Sequence, residues 1–152
     1  MAGTETVELI RLEGPGNSVV LSLYGGPGGG TTGGGSALQG VITVDTPFVS
    51  GSTPVHLRPE DVEEWQDALD LLDAGGDIAW RKGGRGPELH VELDPEGDPE
   101  RAQVSVSDLA GALTTVTVGV TIDDAWFDDA YERLEEVREV WPSVGAEPAV
   151  AD

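Results

Sequence analysis

The chain has 152 residues, with 29 acidic and 8 basic side chains, a formal net charge of −21 and 38% hydrophobic residues. A single core of that size buries roughly 70% of the surface its unfolded chain exposes, enough to fold without disulfide or metal staples. The absence of cysteine excludes thiol catalysis, disulfides, iron–sulfur clusters and cysteine zinc sites, and the excess of acid opposes approach to a nucleic-acid backbone.

No apolar run approaches the roughly 18 residues of a membrane span, and the start MAGTETVELI lacks a basic region followed by an apolar one. The expectation is a cytoplasmic protein with no membrane partner. Val7 to Leu12 and Asn17 to Tyr24 are strand-like runs separated by EGPG, a tight-turn sequence, and they predict a hairpin. A glycine-rich stretch follows and reads as a flexible loop at 25–36. It has the glycine density of a phosphate cradle but no G-K-[ST] ending and no following helix. Leu38 to Thr46 and Phe48 to Leu57 predict two more strands, the second at an edge or bulged because Gly51 and Pro54 interrupt it.

From Pro59 the period changes. Val62, Trp65, Leu69 and Leu72 recur at helical spacing, with Pro59 at the first helical position and Gly75 at the stop. Four further strands are expected at Asp77 to Lys82, Glu88 to Leu93, Arg101 to Ser107 and Ala112 to Ile122, separated by GGRGP, DPEGDPE and DLAG. In the last, Val116, Val118, Val120 and Ile122 share the face that meets a core. Asp123 then caps a second helix with the stripe Trp126, Ala130, Leu134, Val137 and Trp141, closed by Pro142. Residues 143–152 read as a disordered tail. The plan is one α+β domain over 1–142, a largely antiparallel sheet in two ββββα halves with two amphipathic helices packed on it.

The available chemistry is sparse. His56 and His90 each alternate with apolar neighbours, which puts them on the polar faces of their strands, and neither a G-x-S-x-G elbow nor an HExxH pair occurs. The loop DPEGDPE spaces four acids like a calcium loop but has Pro99 where an EF-hand needs glycine. No catalytic residue, metal site or cofactor is therefore expected.

Charge location says more. Residues 59–73 carry seven acids and no base, 122–141 carry eight acids and two bases, and 94–100 carry four acids, together 17 of the 21 net negative charges. Glu60, Glu63, Asp67 and Asp70 follow i, i+3, i+7, i+10 spacing and form one ridge opposite the buried stripe. Such a ridge is either a docking face for a basic protein partner or a solvated face reflecting an acidic proteome. Arg81, Lys82 and Arg85 cluster at a glycine turn as a basic spot, either local charge balance or an anion contact.

The segments VELIRLEG, ITVDTPFVSG, RPEDVEEWQDALDLLDAG, GRGPELHVELD and RLEEVREVWP, with Trp65, Trp80 and Trp141, resemble a family of actinobacterial proteins of unknown function over roughly residues 7 to 142. That resemblance implies no activity and no site residues, and the glycine-rich stretch looks like an insertion within it. The element order is also similar to that of small immunity proteins encoded beside polymorphic toxins, a likeness of plan without shared motifs. The functional expectation is a non-enzymatic acidic binding protein, immunity- or antitoxin-like, with Glu60, Glu63, Asp67 and Asp70 as partner-binding residues. The alternatives are a scaffold module using a sheet edge or apolar surface, and an enzyme built on a carboxylate pair.

Overall fold

Turn residues between alternating apolar runs make each half of the chain a meander. The computed structural model describes residues 6–24, 38–81, 86–93, 100–108 and 113–140. Strands β1 (Thr6–Gly14), β2 (Asn17–Tyr24), β3 (Leu38–Asp45) and β4 (Ser50–Leu57) lead into helix α1 (Pro59–Asp73). Strands β5 (Ile78–Trp80), β6 (Glu88–Leu93), β7 (Arg101–Asp108) and β8 (Thr114–Thr121) lead into helix α2 (Asp124–Val140). The strands form one antiparallel sheet in the order β4-β3-β2-β1-β8-β7-β6-β5, so the fold is α+β and each half is ββββα. The glycine-rich stretch 25–36, residues 94–99, Trp141 and the tail 143–152 lie outside the described residues.

Alternation fixes the inward face: Val19, Leu21, Leu23, Ile42, Val44, Val55, Leu57, Ile78, Trp80, Leu89, Val91, Val104, Val118 and Val120 are all buried. In β1 the alternation breaks at the adjacent pair Leu9–Ile10, and the structure absorbs the break as a bulge. Glu8 pairs with Ser22 and Ile10 with Leu21, which leaves Leu9 as the extra residue. Both Leu9 and Ile10 are thereby buried.

The halves meet at a narrow seam where β1 and β8 share the pair Glu13 and Thr121. Beside it Gly14 lies against the Gly119 carbonyl, with no room for a Cβ. Where β8 leaves β1, α2 supplies donors instead: Trp126 Nε1 to the Arg11 carbonyl at 2.8 Å and Arg133 Nη1 to the Glu8 carbonyl at 3.3 Å. Ile42 and Val44 of β3 line one cavity with Val106 of β7 and Val116 of β8, so the sheet curls until the inward faces of the two halves oppose each other. Helix α1 joins the edge strands β4 and β5 in sequence and packs against both.

Helix α1 buries Val62, Trp65, Leu69 and Leu72, each worth about 1.5–3 kcal/mol. The rings of Trp65 and Trp80 pack with centroids 5.1 Å apart, and Trp80 Nε1 donates to the Asp61 carbonyl at 2.9 Å. Trp65 Nε1 is buried with no acceptor among the described residues. Asp61 accepts from the Arg58 backbone N–H at 2.9 Å, the backward half of a capping box. At the other end Gly75, at φ +99, and Gly76 donate to Leu72 and Leu71 carbonyls, the αL stop that glycine allows. Asp123 caps α2 by accepting from the Trp126 N–H at 2.9 Å, and Ala130, Leu134 and Val137 form its buried stripe.

Strands β3, β4, β5 and β8 are shorter than their sequence pattern, β3 by one residue at Thr46 and β8 at both ends. Thr46 Oγ1 accepts from the N–H groups of Phe48 and Val49, so residues 46–49 make a turn and β4 starts at Ser50, not Phe48. Strand β5 stops at Trp80 because Arg81 takes φ +66. Strand β4 is an edge strand, as Pro54 requires, and its register with β3 is unbroken.

Candidate acidic docking surface

The two helices lie side by side, and polar side chains hold the seam between them. Tyr131 of α2 donates its hydroxyl to Asp70 of α1 at 2.7 Å, and Arg138 Nη2 donates to Gln66 Oε1 at 2.7 Å. Burial pushes the Tyr131 phenol up to about 12, helped by the hydrogen bond to Asp70 and by the negative charges of Asp70 and Asp73.

Glu60, Glu63, Asp67 and Asp70 are all exposed on α1, and Glu64 and Asp73 are exposed beside them. On α2 the exposed acids are Asp124, Asp128, Glu132, Glu135, Glu136 and Glu139. Side-by-side packing therefore joins two acid-rich helices into one layer, which the sequence had kept on separate segments.

The arginines near this layer are engaged with local partners, some of them acids of α2 itself. Arg133 binds Asp129 at 2.6 Å and Glu8 at 3.3 Å, and Arg138 pairs with Glu135 at 3.4 Å while holding Gln66. Arg58 approaches Glu60 only at 3.9 Å, with both side chains mostly in solvent, so that pair neutralises little. Arg11 grips Glu8 at 2.8 Å and Glu13 at 2.6 Å on the outer face of β1. The hydrogen bond from Arg11, with the positive charges of Arg11 and Arg133, holds the Glu8 carboxyl below its usual range against the opposing effect of burial.

Of the basic spot, Arg81 alone falls within the described residues; Lys82 and Arg85 lie outside them. The Arg81 guanidinium reaches Asp61 Oδ2 at 3.1 Å, the His56 carbonyl at 3.2 Å and the Pro87 carbonyl at 3.2 Å. It thus ties edge strand β4 to α1 and to the start of β6. Sequence reasoning missed this role; the available signal was a bulky residue directly before a glycine turn, where a strand must end.

His56 is exposed, and His90 sits 3.1 Å from Glu88 on the outer face of β6. Among the described residues, no group of three or more His, Asp or Glu could hold a metal ion. No helix among them is long and apolar enough to cross a membrane. The arrangement is suited to long-range attraction of positive charge by carboxylates on rigid supports.

The model of a family of unknown function, DUF5959, matches residues 7–142, and the chain belongs to that family. No curated protein matches the chain.

Proposed function

We propose that this member of the family is a non-enzymatic cytoplasmic binding protein that captures a basic protein partner on the outer faces of α1 and α2, in the manner of an immunity or antitoxin protein. The supporting observation is the acidic layer itself: α1 carries seven acids and no base, and the α2 arginines are engaged with Asp129, Glu8, Glu135 and Gln66. Fixed carboxylates of this kind raise association rates with a positive surface and repel nucleic acid. The test is capture from the native lysate by wild type and by Glu63→Lys/Asp67→Lys at equal folding. Loss of the captured protein in the variant supports the reading; its undiminished retention sinks it.

A second reading, an apolar or sheet-edge contact module, is favoured by Phe48. This side chain is 94% exposed in the turn that Thr46 fixes at the head of edge strand β4. On that reading charge reversal is silent and Phe48→Ser abolishes capture.

A further inference from the structure

Strand β8 runs on past the end of the hairpin beside it. It pairs with β1 at Glu13 and Thr121 alone, and the chain then folds back through the Gly14–Asn17 turn, so the first part of β8 has β7 on one side and no strand on the other. The Ile122 N–H donates to the Glu100 carbonyl on the β7 side at 2.9 Å, and alternate residues of an antiparallel strand turn their backbone groups the same way. Val120, Val118 and Val116 therefore bond to β7, whereas Gly119, Thr117 and Thr115 aim N–H and C=O at the open side. Asn17 Nδ2 reaches the Gly119 carbonyl from that side at 3.2 Å. Among the described residues, no backbone group pairs with the N–H and C=O of Thr115 and Thr117 or with the Gly119 N–H. The threonine side chains are turned to β7 instead, Thr117 to Ser105 at 2.8 Å and Thr115 to Ser107 at 3.0 Å.

This edge is one wall of a groove of about 550 Å³ whose other wall is the Thr46–Val49 turn with its exposed Phe48. Val49 and Val116 also line the apolar cavity inside the curled sheet, so the groove opens inward onto Ile42, Val44 and Val106. An unpaired row of N–H and C=O groups is a template for one more strand. A strand laid along Thr115–Gly119 alternates its side chains, and those opposite Val116 and Val118 point into the apolar space. Charge narrows the occupant. Among the described residues no charged side chain lines the groove, and the net charge of −21 opposes both an acidic segment and a second copy of the chain while attracting basic flanks. We propose that the Thr115–Gly119 edge of β8 binds, by strand addition, an extended peptide segment with apolar side chains at alternate positions and basic flanks. The site rests on the sheet-edge reading above and puts the contact on β8 instead of β4, apart from the acidic helix layer.

Nuclear magnetic resonance titration and amide hydrogen exchange of the full chain with the peptides KVTVTVK and EVTVTVE test it. Two variants block the edge. Thr117→Pro and Thr115→Pro each delete an N–H that points away from β7 and leave the β7 ladder whole, so one remains informative if the other fails to fold. The expected result is saturable one-to-one binding of KVTVTVK, at least tenfold weaker binding of EVTVTVE, and at least tenfold loss of KVTVTVK affinity in whichever proline variant folds. In the bound wild type the Thr115, Thr117 and Gly119 amides gain at least tenfold protection, while those of Val116 and Val118, already bonded to β7, change little. Absence of saturable KVTVTVK binding, or undiminished binding by a folded proline variant, overturns the site. Protection at Ser50 and Ser52 of β4 in place of Thr115 and Thr117 also overturns it and leaves the sheet-edge reading standing. EVTVTVE binding as tightly as KVTVTVK overturns the basic flanks, and a wild-type dimer that the proline variants dissolve overturns the peptide as occupant in favour of a second copy.

Discussion

Removing the Arg81 guanidinium should destabilise the domain even though the residue sits in a backbone conformation that glycine prefers. The Arg81 side chain is 8% exposed and that of Asp61 17%, so their 3.1 Å contact is a buried pair and not a surface one. Breaking such a pair by deleting one partner costs about 3–5 kcal/mol. Arg81→Gly also relieves the φ +66 backbone, which returns about 1–2 kcal/mol. A net loss of about 1–4 kcal/mol is expected for Arg81→Gly and about 3–5 kcal/mol for Arg81→Ala, which keeps the strain. With a urea m-value of about 1–3 kcal/mol/M, the Arg81→Ala midpoint falls by about one molar or more and that of Arg81→Gly by less. Arg81→Lys should rescue little, since one ammonium cannot reproduce the fork that meets Asp61, His56 and Pro87 together. If Arg81→Gly unfolds at the wild-type midpoint or above it, the guanidinium does not hold β4 to α1 and the reasoning fails.

Trp80→Phe should cost about 0.5–1.5 kcal/mol more than Trp65→Phe, because Trp80 Nε1 donates to Asp61 and Trp65 Nε1 has no acceptor among the described residues; equal losses in chemical denaturation would contradict the assignment. In a Tyr24→Phe background, ultraviolet titration should show the Tyr131 phenol ionising near 12, and Asp70→Asn should bring it down. Because this value is raised from the ordinary 10, its contribution to stability is complete below 10 and lost as pH rises through 12; an unmoved titration in Asp70→Asn would remove the inter-helix hydrogen bond from the account. Glu8 is shifted the other way, so its contribution is present above the ordinary 4.5 and lost as pH falls through the lowered value. The stability gap between wild type and Glu8→Gln should therefore be widest near neutral pH and close on acidification; a constant gap would show that the Arg11 and Arg133 contacts are not what sets it.

Much of the fold was legible because its signals are local. Period-two alternation placed Asn17 to Tyr24 and Glu88 to Leu93 at their observed bounds, and the shift to helical spacing at Val62, Trp65, Leu69 and Leu72 located α1. The Leu9–Ile10 break in alternation marks the bulge and was readable in principle. Pairing of β1 with β8 was not, since the two strands are far apart in sequence and share one registered pair supported by close contact at Gly14 and Gly119. The same distance hid the side-by-side packing of α1 and α2, which turns two acidic segments into one layer through Tyr131–Asp70 and Arg138–Gln66. Arg81 shows the limit most plainly: composition reads a positive charge, whereas its surroundings, drawn from β4, α1 and the start of β6, make it a tie.

The acidic helix layer as a docking face is tested most directly by calorimetry with the protein retained from the native lysate, comparing wild type with Glu63→Lys/Asp67→Lys at about 50 and about 300 mM salt. The account predicts at least tenfold weaker binding by the variant, about 1.4 kcal/mol or more, and weaker wild-type binding at the higher salt. Equal affinities for both proteins at both salt concentrations would contradict it.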